Sequence, residues 1–110
     1  GMLRHYLESL ERVAALDGKD LLIYPGHGQP FSTLGPRCQE LIGHHHERLE
    51  NLLEICTRGG PQTVYQLASD LFGEMKDFHI VLGCAEAAAH LEYLQQDGQV
   101  VEEHGEYRAT

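Results

Sequence analysis

The sequence predicts a mainly helical α+β chain, and three observations carry that expectation. Apolar residues recur at helical spacing within residues 3–14, 38–56, 63–73 and 80–94. A short, continuous apolar run at residues 21–24 (Leu-Leu-Ile-Tyr) has the pattern of a fully buried strand. The last residues alternate around His104-Gly105, as a β-hairpin does.

The first helix is marked by Leu3, Tyr6, Leu7, Leu10, Val13 and Ala14 on one stripe, with Gly18 placed to cap it. The buried-type strand follows and stops at Pro25. A loop over residues 31–35 then leads to Pro36, which suits the first turn of a long helix. Cys38, Ile42, His45, Leu49, Leu52 and Cys56 share one face of that helix, and Gly59-Gly60-Pro61 breaks it. Thr63-Val64-Tyr65-Gln66 reads as a capping box, with Thr63 at the N-cap and Gln66 three residues on. It opens a helix that runs through Leu67, Leu71 and Phe72 to Gly73. The next helix puts Ile80, Cys84, Ala87, Ala88, Leu91 and Leu94 on one face and stops near Gly98. Residues 99–102 and 106–109 then pair as a hairpin. Helix, helix, helix, hairpin is the winged-helix order, and it assigns residues 37–110 to such a domain.

The strand at residues 21–24 opens into Tyr24-Pro25-Gly26-His27-Gly28-Gln29-Pro30, a turn whose one functional side chain is His27. Glycine on both sides frees the backbone for strained angles and for close approach of another group. Such a turn presents an imidazole from a strand end to a metal or a substrate. The segment resembles the last metal-ligand motif of the metallo-β-lactamase-fold hydrolases. It is most similar to the branch whose catalytic domain carries a small C-terminal winged-helix extension. Tyr6-Leu7-Glu8-Ser9-Leu10, Ile42-Gly43-His44 with Arg48 and Glu50, and Ala88-Ala89-His90-Leu91-Glu92-Tyr93-Leu94 with Gly98 extend the likeness over nearly the whole chain.

The resemblance implies that residues 1–36 are the C-terminal helix and strand of an αββα metallo-β-lactamase domain. It implies His27 as a metal ligand in a parent site of two zinc-type ions, where bound water is acidified for attack. It gives His44 a role in seating the linker helix on the catalytic domain. The superfamily's principal metal motif, HxHxDH, occurs nowhere in this sequence. The chain is therefore expected to be the C-terminal part of a metal-dependent hydrolase, inactive and without a cofactor by itself. A free-standing winged-helix interaction or oligomerisation module is the alternative reading.

A chain of 110 residues supports one modest core. Cys38, Cys56 and Cys84 are odd in number, lack metal-ligand spacing and fall on expected helices. They read as small hydrophobes in a reducing, cytoplasmic compartment rather than as disulfides or nucleophiles. No apolar run is long enough to span a membrane. Exposed edges and faces of the strand at residues 21–24 would seek a partner, either a second copy in a homo-oligomer or the missing catalytic domain.

His44-His45-His46 invites a metal assignment that helical geometry opposes. Adjacent residues point about 100° apart around a helix, so neighbouring histidines cannot easily share one ion. Only His46 has a ligand one turn on, Glu50, while His45 falls on the apolar stripe as a packed, hydrogen-bonded histidine. Nucleic-acid binding is opposed by charge. The formal net charge is −9 with histidines neutral, and residues 77–107 hold no Lys or Arg. Glu86, Glu92, Asp97, Glu102, Glu103 and Glu106 lie where a reader of duplex DNA would need phosphate-neutralising cations. Gln95, Gln96 or His90 would have to read bases against that repulsion. No DNA partner is expected.

Overall fold

The computed structural model describes residues 1–16 and 34–110. The strand expected at residues 21–24, the His27 turn and the Gly18 cap lie outside the described residues. The elements run α1 (Met2–Ala14), α2 (Leu34–Gly59), β1 (Gln62–Thr63), α3 (Val64–Phe72), α4 (Phe78–Gln96), β2 (Val100–Glu103) and β3 (Glu106–Ala109). The strands form one antiparallel sheet in the order β1-β3-β2. Val100 faces Ala109 and Glu103 faces Glu106 across the hairpin, while Gln62 pairs with Tyr107.

Local chemistry accounts for most of the boundaries. Thr63 Oγ1 accepts the Gln66 amide at 3.2 Å, and Gln66 Oε1 accepts the Thr63 amide at 2.9 Å, closing the capping box. Two otherwise orphaned donors at the start of α3 are satisfied in this way. The hairpin turns at His104 (φ 56°) and Gly105 (φ 81°). Both central residues at positive φ is what a two-residue turn needs to match the twist of its strands. The two-residue strand β1 was not expected from sequence; it is too short to show alternation and is made by its pairing with β3.

The core joins every helix. Leu52 of α2, Leu67 of α3 and Leu91 of α4 are fully buried, and Leu3 and Leu7 bring α1 into the same cluster with Ile42, Leu49, Leu94 and Val100. Each fully buried leucine contributes about 1.5–3 kcal/mol. Arg4 fixes α1 further: its Nη2 lies 2.7 Å from Asp97 Oδ1, and its guanidinium sits 4.0 Å from the centre of the Tyr93 ring. The carboxylate is at the C-terminal end of α4, where a cation is favoured.

Several expected stripes are narrower than predicted. On α1, Tyr6 and Val13 are exposed, and Leu3 and Leu7 carry the burial. Phe72 is exposed on α3, and Ala88 is exposed on α4 while His90 is fully buried. Cys38 and Cys56 are buried and Cys84 is half-buried, all as free thiols. Burial pushes the Cys56 thiol above its ordinary range, which leaves it inert. Among the described residues, no helix is long and apolar enough to cross a membrane.

Candidate functional site

The described chemistry converges where α2 meets α4. His45 lies three residues after Ile42 and four before Leu49, so the core stripe of α2 turns it toward α4. His90 lies three residues after Ala87 and four before Leu94, on the buried face of α4. The two rings meet with His45 Nδ1 3.2 Å from His90 Nε2. Their centres are 5.3 Å apart at an interplanar angle of 26°.

The hydrogen bonds assign the protons. His90 Nδ1 lies 2.7 Å from the Glu86 main-chain oxygen, which can only accept. His90 therefore carries its proton on Nδ1, and Nε2 of the neutral ring is an acceptor. His45 must then donate from Nδ1, which leaves the lone pair of its own ring on Nε2. Both polar atoms of the buried His90 are satisfied, as burial requires.

Burial, seconded by Arg48, favours the neutral form of both rings. Burial lowers the His90 pKa most, with Arg48 and His45 adding to it against the Glu86 carbonyl and carboxylate. Burial likewise leads the lowering at His45, followed by Arg48, with Glu86 opposing. Arg48 Nη1 is 3.1 Å from Glu86 Oε2, a second tie between α2 and α4, and its guanidinium is 5.5 Å from the centre of the Phe72 ring. Tyr6 of α1 meets the His45 ring edge-on at 5.4 Å between centres. Ligand atoms of His45, Glu86 and His90 all fall within 4.8 Å of one another.

The sequence-predicted residues fare differently. His27 lies outside the described residues. His45 is the packed, hydrogen-bonded histidine expected of it. His44, His46 and Glu50 are exposed and take no part in the junction. His90, considered from sequence as a possible base reader, is instead the buried centre of the cluster. Its helical spacing from Ala87 and Leu94 was the available signal. The pairing with His45, 45 residues away, had none.

No protein-family model matches the chain. Two solved structures are similar to it over 98% of its length. One is a metallo-β-lactamase family protein from Thermus thermophilus, at 34% identity and a TM-score of 0.80. The other is a β-lactamase domain protein from Burkholderia ambifaria, at 32% identity and a TM-score of 0.87. The likeness is to metallo-β-lactamase proteins. The chain spans 33% of the length of each of these structures.

Proposed function

We propose that this chain is the C-terminal part of a metal-dependent hydrolase of the metallo-β-lactamase superfamily, in the branch with a winged-helix extension. The observation that carries the reading is similarity over 98% of the chain to proteins of which it spans 33%. The order of three helices and a hairpin, with β1 completing the sheet, supports the winged helix for residues 37–110. In this reading His27 supplies one neutral imidazole to a centre of two zinc-type ions, and the remaining ligands come from the rest of the parent. The His45, Glu86 and His90 group is carried by α2 and α4 rather than by a strand-end turn, so it does not fit that ligand set. No catalytic step is assigned to the isolated chain. The free thiols support a reducing, cytoplasmic setting.

The test is turnover of thioester and phosphodiester substrates by the isolated chain with zinc supplied. None is expected. Hydrolysis abolished by His27→Ala would overturn the reading of an incomplete centre. In the gene, an in-frame HxHxDH-bearing domain upstream of Met2 is the arrangement this reading requires.

The surface of α4 favours the interaction module as a second reading. Phe78, Val81 and Leu82 are 68%, 58% and 48% exposed, and Leu82 lines a groove of about 320 Å³ together with Phe72 and Met75. Exposed apolar clusters of this kind mark packing surfaces. A homo-oligomer that Val81→Glu dissociates, measured by light scattering, would favour the module. A monomer across a wide concentration range leaves the face to the parent's catalytic domain.

A further inference from the structure

We propose that the His45–His90 junction binds one divalent transition-metal ion of the zinc type, through His45 Nδ1, His90 Nε2 and a Glu86 carboxylate oxygen. The site is independent of the hydrolase reading, because His27 is not among its ligands.

The spacing of the two nitrogens is the first argument. Zinc–nitrogen bonds of about 2.0–2.1 Å at the tetrahedral angle hold two ligand nitrogens about 3.3–3.4 Å apart. His45 Nδ1 and His90 Nε2 are already 3.2 Å apart across the α2–α4 interface. An ion set off the line between the two nitrogens can bind both once each ring pivots, without the helices having to part.

The surroundings of His90 are the second argument. Its Nδ1–H is held by the Glu86 carbonyl at 2.7 Å, which fixes the ring and leaves the Nε2 lone pair facing His45. A ligating histidine characteristically donates its distal N–H in this way, and the bond sets its tautomer and raises its basicity. With the proton fixed on Nδ1 by that carbonyl, the buried ring presents Nε2 as a ligand atom.

Glu86 supplies the third ligand. It lies one helical turn before His90, and its carboxylate belongs to the same group of atoms within 4.8 Å. It pairs with Arg48 at 3.1 Å, with the two side chains 51% and 31% exposed. A half-exposed pair of this kind is worth little, so one carboxylate oxygen can turn to an ion at small cost. Arg48 can stay on the other oxygen. Two imidazoles and one carboxylate suit zinc, cobalt or nickel better than magnesium or calcium.

Proton balance requires one tautomer change. His45 gives up its Nδ1 proton to solvent and takes one from solvent on Nε2, so the ring stays neutral and no net proton is released. Solvent reaches this side of the cluster through the exposed Glu86 and the half-buried His45. Water completes a four-coordinate shell.

Cobalt(II) tests the site, because tetrahedral cobalt absorbs visibly and the aqueous ion scarcely does. The full chain, stripped with chelator, should show tetrahedral bands that saturate at one equivalent and disappear when zinc is added. His45→Ala should abolish them, and Glu86→Gln should weaken binding at least tenfold. His46→Ala should leave both bands and stoichiometry unchanged. His90→Gln risks the fold, so zinc-induced shifts of the His45 and His90 ring nitrogens, read by nitrogen-15 NMR on the unaltered chain, take its place. Absence of the bands, their survival in His45→Ala, or unshifted His90 nitrogens would each overturn the proposal.

Discussion

A buried histidine is costly unless both its nitrogens are partnered, and the neutral His90 ring meets that condition. A proton added at Nε2 would bury a charge at the α2–α4 interface and force His45 into its other tautomer to accept it. The groups around the pair (Arg48, Glu86, His44, His46 and Tyr6) leave the balance on the neutral side, since burial and Arg48 outweigh Glu86 at His45. Both folded-state pKa values lie below the unfolded value of about 6.5. The unfolded chain therefore binds protons first as pH falls. The stability of the pair is fully present above about pH 6.5 and is lost as pH drops through the lowered folded values. In chelator-treated protein, urea midpoints should fall between pH 7.5 and 5.5. His45→Gln, which keeps a hydrogen-bonding side chain without an imidazole, should flatten that fall. An equal slope in the variant would show that the pair carries no linkage.

Elements defined by neighbouring residues were legible in the sequence. The capping box of α3, the break at Gly60-Pro61 and the His104-Gly105 turn each depend on bonds or dihedrals within a few residues. Features made by distant contact were not. Strand β1 exists through β3, Ala88 and Phe72 are exposed because no described element covers them, and His90 finds its partner on another helix. The His27 turn, the residue on which the functional expectation rests, falls outside the described residues. The attachment of α1 shows how magnitudes separate two contacts that look alike in importance. Arg4 and Asp97 form a short pair, but their side chains are 34% and 42% exposed, so solvent screening holds its worth to about 1 kcal/mol or less. Leu7 is 5% exposed within the core cluster, and removing a buried leucine costs about 2–5 kcal/mol. Urea denaturation should therefore register Leu7→Ala strongly and Arg4→Ala weakly. Limited proteolysis should release α1 in the first variant only. Equal losses would mean that α1 is held by charge rather than by packing.

At the scale of the whole molecule, charge decides what this surface can meet. The chain carries −9 with histidines neutral, and α4, the helix that a winged-helix reader would lay in the major groove, has no Lys or Arg. Among the described residues, six of the seven Lys and Arg side chains pair with carboxylates, and Arg12 hydrogen-bonds only Ser9. Arg4 pairs with Asp97, Arg37 with Glu40, Arg48 with Glu86, Arg58 with Glu54, Lys76 with Glu74 and Arg108 with Glu103. Arg108 is the cation of the hairpin, and its carboxylate partner sits 3.1 Å away on the facing strand. Non-specific affinity for DNA comes from counterions released as phosphates are neutralised, so a surface that neutralises almost none gains almost nothing. Base contacts cannot make up the difference, because phosphate contacts must first set register and orientation. His90, a base reader by sequence position alone, is sealed in the α2–α4 interface and unavailable. Fluorescence anisotropy with a random duplex, at pH 7.5 and about 150 mM salt, should therefore show no binding in the micromolar range. Lowering the salt to about 50 mM should not rescue it, since the acidic face then repels the duplex over a longer distance. Micromolar affinity that falls steeply with added salt would mean that a cationic face is presented to DNA after all.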